Sequence, residues 1–388
     1  GPSRAHFIHL DQPLRTDHQL RKLIKLQHPE YRVGVMRCLF RAHGQSGRLS
    51  TAIEQLKGRA ESLVRSGHNI LVISDRGAGP QQAPIPSLMA LGAVHQHLVR
   101  LGLRAKTSLG VEAGDVREVH HLATLIGVGA NAVNPYLALA TLDLLYSRGY
   151  FEGQGLSRDQ AVAHYIHAVG NGLLKIMSKI GISTLQSYQG AQIFEILGLS
   201  DEVFNSCFWG TVSRIGGIGF DGIATEVLAR HQLAFPGNAQ DLTELPEGGL
   251  FQWKRRGEAH TFNPKSIHYL QLAARKNSQE DYYRYAREID KQTEQAMCLR
   301  GLLDFRRSNP IPLSEVDPAE NIMRRFSTGA MSFGSISWEA HTTLAIAMNR
   351  IGAKSNSGEG GEDPCRYKPS ESGHDLKSAI KQVASGRF

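Results

Sequence analysis

What most constrains this fold is an alternation of strand-length apolar runs with helix-length amphipathic segments. The runs are HNILVIS (68–74), AKTSLGVEA (105–113) and GANAVNP (129–135). Ahead of the first lies LSTAIEQLKGRAESLVRSG (49–67), whose apolar residues recur at helical spacing behind Ser50, its expected N-cap. Helices are also predicted over about 86–101 and 115–126, with short Gly-containing joints. Strands separated by whole helices pair in parallel, since each return must cross over the sheet. The pattern therefore predicts an α/β class, a parallel sheet with covering helices. Two more helices, 158–180 and 221–231, follow. Periodicity then fades between 234 and 264, and the first domain is expected to span residues 4–250.

Length and charge narrow the class. A chain of 388 residues can hold two domains. It contains no apolar run near the roughly 20 residues a membrane span needs, so no membrane association is expected. The opening Gly-Pro-Ser, residues 1–3, reads as a scar of tag removal. Cys38, Cys207, Cys298 and Cys365 are far apart and form neither CxxC nor Cys/His metal spacing. That argues against a disulfide framework and a metal site, and for a reducing compartment. The net charge of +8 is scattered, except between Arg15 and Arg48. A solvated basic helix is preferred there to a nucleic-acid face, since no aromatic-interleaved motif accompanies it.

Residues 251–388 read as linker helices followed by the start of a second domain. A polar helical stretch from Pro264 breaks near Asn277, NPIPLSEVDP interrupts, and MRRFSTGAMSFGSIS leads into a helix over Trp338–Ile351. The last segment, DLKSAIKQVASGRF, is expected to be a helix running into a strand that the sequence cuts short.

Four features invite a chemical reading. His95, His97, His120 and His121 are spaced i,i+1 or i,i+2, which on a helix puts no two on one face and makes them poor paired ligands. SRIGGIGFDG (213–222) has the letters of a dinucleotide fingerprint, but NSCFWGTV before it is not a convincing strand, so a helix-positioning turn is preferred. TGAMSFGSIS (328–337) brackets one aromatic with small residues, which lets backbone approach a flat ligand and leaves amide donors free. NRIGAKSNSGEGGEDP (349–364) combines Gly358, Gly360 and Gly361, expected to reach positive φ and form a nest, with Glu359, Glu362 and Asp363. At 4 Å and an effective dielectric near 20, like charges repel by about 4 kcal/mol per pair, so this is not a phosphate cradle. Amides beside carboxylates suit a neutral heterocycle and a nitrogen-bearing substrate; an acidic surface loop is the alternative.

Longer strings carry a resemblance. TGAMSFGSIS, EAHTTLAIAMNRIGAKSNSGEGGED and IKQVASGRF resemble the opening of the FMN-binding synthase domain of the glutamate synthase family. Upstream, ILVISDRG, IPSLMALGAVHQHLVRLGLR, EAGDVREVHHLATLIGVGANAVNPYLA, GNGLLKIMSKIGISTLQSYQGAQIFEILGL and GTVSRIGGIG resemble its central domain, in colinear order. The resemblance implies a central domain followed by the truncated first part of a (β/α)8 FMN-binding barrel. It implies an enzyme of ammonia assimilation that makes L-glutamate from L-glutamine and 2-oxoglutarate. An amidotransferase domain would release ammonia, a tunnel would carry it, and an imine would be reduced by FMN fed from a 3Fe–4S cluster. Ferredoxin or a pyridine-nucleotide subunit would donate electrons, in a bacterial cytoplasm or a plastid stroma. The amidotransferase domain, most of the barrel and the cluster ligands are not among these residues. The chain alone is therefore expected to be an inactive scaffold and ammonia-channelling part, with weak or no FMN binding. Its oligomeric state stays open.

The resemblance and the loop chemistry together give the candidate site. Met331, Ser332, Gly334 and Ser335 are expected along the flavin ring. Gln382 and Arg387 are expected at its pyrimidine edge or on substrate carboxylates, Arg offering a bidentate fork. Glu359 or Glu362 is expected near the imine, favouring its protonated form. Ser74, Asp75 and Arg76, in the loop after the first predicted strand, are candidates for the ammonia route; local capping and pairing is the alternative. Two other functions compete: a non-catalytic interaction module and a basic nucleic-acid binder.

Overall fold

The computed structural model describes residues 8–44, 47–236, 248–292, 297–368 and 370–383. The chain divides into two compact units, Gly1–Pro246 and Glu247–Phe388. Residues 1–3, read as a tag scar, lie outside the described residues.

The first unit opens with helix α1 (Asp17–Ile24), strands β1 (Val33–Arg37) and β2 (Leu39–Arg41), helix α2 (Arg48–Arg65) and strand β3 (Ile70–Ser74). Strand β4 (Gln82–Pro84), α3 (Ser87–Arg100), β5 (Ser108–Glu112), α4 (Val119–Val128) and β6 (Ala132–Asn134) follow. Strands β1, β3, β5 and β6 form one parallel sheet in that order, while β2 pairs antiparallel with β4. Each parallel step is bridged by a helix, as the alternation of runs requires. Met36, Leu71, Ile73, Leu109, Val111 and Val133 join the helices in one core cluster. Full burial of each such side chain stabilises by about 1.5–3 kcal/mol. The register aligns Arg37, Ser74, Glu112 and Asn134 across the four strand ends. A polar row thus caps the carboxyl end of the sheet.

Helices α5 (Tyr136–Ser147), α6 (Arg158–Ile180) and α7 (Leu185–Tyr188) lead to β7 (Glu195–Leu199), α8 (Asp201–Cys207), β8 (Val212–Ile218) and α9 (Phe220–Ala234). Helix α6 carries a Ser157 capping box with Gln160 and ends on Gly181 at φ +81°. SRIGGIGFDG divides in the structure: residues 213–218 belong to β8, a strand not expected from the sequence, paired parallel with β7, and Gly219 is the N-cap of α9, so the helix-positioning role falls at the strand's end. A Cβ on Gly217 would lie 2.1 Å from the Gly198 carbonyl oxygen, so this glycine serves strand contact and not a dinucleotide turn. Ser50 is also corrected. The residue before α2 is Gly47 at φ +78°, with no side-chain cap, and the Ser50 hydroxyl donates to the Gly47 carbonyl. Within the basic stretch 15–48 lie α1, β1 and β2, where a single solvated helix is the sequence expectation.

In the second unit, α10 (Pro264–Lys276) and α11 (Gln279–Lys291) are split by Asn277 in the left-handed region at φ +50°. Helix α12 (Ala319–Met323), β9 (Ser327–Ala330), α13 (Trp338–Arg350) and β10 (Lys354–Asn356) follow. Strands β9 and β10 are parallel, with α13 crossing between them. Ile380 adds a parallel bridge to Asn356, donating to the Ser355 carbonyl and accepting from the Ser357 amide, both at 2.9 Å. The helix expected over the segment from Asp375 does not form among the described residues, because Ile380 is committed to this ladder. No helix among the described residues is long and apolar enough to cross a membrane.

Candidate functional site

Parallel strands present their carboxyl ends on one side, so the loops leaving β9 and β10 meet there. A Cβ on Gly358, at φ +62°, would lie 2.6 Å from Ser332 Oγ and 2.9 Å from Ser332 N. One on Gly360 would lie 2.6 Å from the Phe333 carbonyl oxygen. The two backbones touch because these positions carry no side chain. Gly361 also has positive φ, at +76°, whereas Gly360 does not; at Gly360 the requirement is space, not the left-handed conformation.

Beneath the two loops lies a buried polar network. Ser337 Oγ accepts the Ala340 amide at 3.2 Å and starts α13, which sets His341 in its first turn. His341, 3% exposed, places Nε2 2.9 Å from the Met331 carbonyl oxygen and 3.4 Å from that of Ser357. Its Nδ1 accepts from Arg366 Nη1. Arg366, 1% exposed, also donates from Nε to the Leu376 carbonyl at 2.9 Å and sits over the Trp338 ring. Glu362 pairs with Arg366 at 3.4 Å, each side chain 1% exposed. The same carboxylate accepts the Ser378 amide at 2.7 Å and the Lys381 ammonium at 3.0 Å. Burial pushes the Glu362 pKa up, but Ser378, Lys381 and Arg366 together hold it below the ordinary carboxylate range.

Met331 and Ser332 are half-buried, and Gly334 and Ser335 are exposed. The amides of Ser332 and Phe333 have no acceptor among the described residues, whereas the Met331 amide lies on the β9–β10 ladder, where Ala330 pairs with Asn356. Gly334 has φ +108°, and a Cβ there would have no atom within 4 Å. Free amide donors, small side chains and open space fit the polar edge of a flat heterocycle such as flavin. Glu359 is exposed, while Glu362 is turned inward to Arg366. Gln382 is exposed two positions beyond the bridging Ile380. Arg387 lies outside the described residues. The structure thus brings the Met331–Ser335 and Glu359–Glu362 segments together. His341 and Arg366, which tie them, were not singled out by sequence: Arg366 follows Pro364 in a short 3-10 turn with no periodicity to mark it.

The carboxyl end of the first unit's sheet gathers the other candidates. Ser74 ends β3, the second strand of the sheet in chain order and not the first. Its hydroxyl donates to Glu112 Oε2. Arg76 donates to Glu112 Oε1 and to Asp17 Oδ2, and its guanidinium lies 4.2 Å from the Tyr136 ring centroid. Asn134 Nδ2 donates to Asp17 Oδ1 at 3.0 Å. These partners stand 36 to 59 residues from Arg76 in the chain, so the pairing is long-range, not local. Asp75 Oδ2 accepts the Gly114 amide at 2.8 Å, and Oδ1 has no hydrogen bond of ordinary geometry among the described residues, although the Tyr136 hydroxyl is close enough to influence it. Burial pushes the Asp75 carboxyl up to about 6, with Gly114 and Tyr136 opposing and Asp115 and Glu112 reinforcing the rise.

Comparison with known proteins puts both regions in one family. The glutamate synthase central domain matches residues 1–200, and the conserved region in glutamate synthase matches residues 260–388. The NADPH glutamate synthase large chain of Bacillus subtilis is 46% identical over 383 residues, covering 98% of this chain and 24% of its own length. The NADH glutamate synthase of Schizosaccharomyces pombe is 43% identical, covering 100% of this chain and 18% of its own. A ferredoxin-dependent glutamate synthase of Arabidopsis thaliana, named chloroplastic/mitochondrial, is 42% identical, covering 100% of this chain and 25% of its own. The chain therefore spans about a quarter or less of the relatives it matches. A flavocytochrome b2 mutant structure with benzoylformate aligns with 46% of this chain and 40% of its own at 14% identity and TM-score 0.30, too slight to bear on the site. Two domain matches and identities above 40% across the chain lead to one conclusion: it belongs to the glutamate synthase family.

Proposed function

We propose that this chain supplies the central domain and the first part of the FMN-binding (β/α)8 synthase domain of an enzyme that forms L-glutamate from L-glutamine and 2-oxoglutarate. The observation that carries the reading is the meeting of the β9 and β10 loops through Gly358 and Gly360. FMN, when bound, supplies the hydride for imine reduction. Ser332 and Phe333 would offer amides to its polar edge, Met331 would lie along the ring, and Gly334 and Ser335 leave the ring room. Gln382 and Arg387 are proposed for the pyrimidine edge or the substrate carboxylates. Of the two glutamates, Glu359 is the one proposed to face the imine and favour its protonated form, since Glu362 is engaged by Arg366 and Lys381. Ser74, Asp75 and Arg76 are proposed for the ammonia route, supported by their place at a parallel-sheet carboxyl end. The relatives' names span NADPH, NADH and ferredoxin, so the donor is not set by family. A 3Fe–4S cluster, and a cytoplasmic or plastid location, belong to the same proposal.

The test uses a full-length glutamate synthase carrying these residues. Ser332→Phe, which fills the space beside the free amides, is expected to weaken FMN binding at least tenfold while far-UV circular dichroism is unchanged. Glu359→Gln is expected to keep the flavin and lose most glutamate formation. Normal flavin content in the Ser332 variant would overturn the placement of the ring.

A further inference from the structure

We propose that His341 is a positioning residue that holds the β9 and β10 loops in the one arrangement able to receive the flavin ring, with Arg366 setting its tautomer. The inference rests on the flavin reading above and adds a residue to it. Arg366 is a donor only, so its bond to His341 Nδ1 requires a lone pair there, which leaves the ring proton on Nε2. Nε2–H then donates to the Met331 carbonyl at 2.9 Å, with the Ser357 carbonyl at 3.4 Å as a weaker second acceptor. Met331 begins the first loop and Ser357 the second, so one imidazole grips the root of both.

Arg366 is itself fixed. Nε and Nη2 both donate to the Leu376 carbonyl, and Glu362 neutralises its charge. The chain of contacts runs from Lys381 and Glu362 through Arg366 and His341 to the two carbonyls. Every side chain from Glu362 to His341 is at least nine-tenths buried, in surroundings where hydrogen bonds are strong and a missing partner is costly. His341 touches neither flavin nor substrate in this account. It acts by fixing where the Ser332 and Phe333 amides point, and misplacement of such groups by about 1 Å can weaken function a hundredfold.

The experiment replaces His341 in the full-length enzyme and reads FMN dissociation constant and the absorption bands of bound flavin. His341→Gln keeps an amide donor near the reach of Nε2, and affinity is expected to stay within threefold of the unmodified enzyme. His341→Asn is too short to reach Met331, and His341→Leu has no donor; each is expected to bind FMN at least tenfold more weakly with shifted bands. Two variants of different size, neither able to donate to Met331, are made so that a folded one is read, as judged by circular dichroism. Unchanged affinity and bands in either folded variant would overturn the proposal, as would a Gln variant as weak as these. Ser332→Phe separates the two levels. If it leaves FMN binding intact, the flavin placement itself fails; if it weakens binding and His341→Asn does not, only the role of His341 fails.

Discussion

Glu362→Gln is expected to lower the stability of the second unit by about 3–5 kcal/mol, the usual result of removing one partner from a buried ion pair. Gln still accepts the Ser378 amide, so the backbone contact at 2.7 Å survives. What is lost is the charge facing Arg366, whose guanidinium is 1% exposed and whose other partners among the described residues are the Leu376 carbonyl, the His341 imidazole and the Trp338 ring. Glu359→Gln, three positions earlier and exposed, is the matched control and should shift stability by no more than about 0.5 kcal/mol. Urea unfolding of this chain, followed by tryptophan fluorescence, measures both. Equal midpoints for the two variants would show that the buried network does not hold the loop.

Asp75→Asn should act in the opposite direction and only above acidic pH. The Asp75 carboxyl rises from 3.8 to about 6 on folding, because burial disfavours its charge. Below about pH 4 both the folded and unfolded forms are protonated, and there is no penalty. Between pH 4 and 6 the folded form holds the proton that the unfolded form releases, so stability falls as pH rises. Above pH 6 the full penalty remains, about 3 kcal/mol for a shift of roughly two pK units. Asn carries no charge and can still accept the Gly114 amide. The variant is therefore expected to exceed the unmodified chain by up to about 3 kcal/mol at pH 8 and to match it at pH 4. A stability difference that does not change with pH would remove burial of the charge as its cause. A positive effect would also mark Asp75 as a residue retained at a cost to stability, as site residues often are.

How much of this was legible depends on how each element is buried. Strands β3, β5 and β6 are covered on both faces and read as short apolar runs, which the sequence shows plainly. Strand β1 was missed. It is an edge strand, VGVMR, with alternating burial and a glycine, set among basic residues. Helix α5 was missed for a related reason: Leu137, Leu144 and Tyr146 are exposed, so its apolar residues do not mark one face. The segment after Asp375 misled in the other direction. Leu376, Ile380 and Val383 have helical spacing, yet Ile380 bridges to Asn356 and the Leu376 carbonyl binds Arg366.

In the site, glycine and carboxylate chemistry argued against a phosphate and for a flat ligand, and the structure adds that the acidic loop lies against the Ser332–Phe333 backbone. Which carboxylate is free was not legible. Glu359 and Glu362 are equivalent letters until Arg366 and Lys381 fold onto one of them. The same holds for Ser74 and Arg76, whose partners Glu112 and Asp17 lie on other strands and helices. Contacts of this range follow no local period, so no window of sequence reveals them.

The central claim is that the loop from Met331 to Ser335 offers its unpaired amides to the flavin. Amide hydrogen exchange on a full-length glutamate synthase carrying these residues, with and without FMN, reads those donors one by one. Ser332 and Phe333 are expected to exchange at least tenfold more slowly when FMN is present, with Gly358 to Gly361 protected as their packing tightens. Unchanged exchange at Ser332 and Phe333 in the flavin-loaded enzyme would contradict the claim, whatever the activity of the variants.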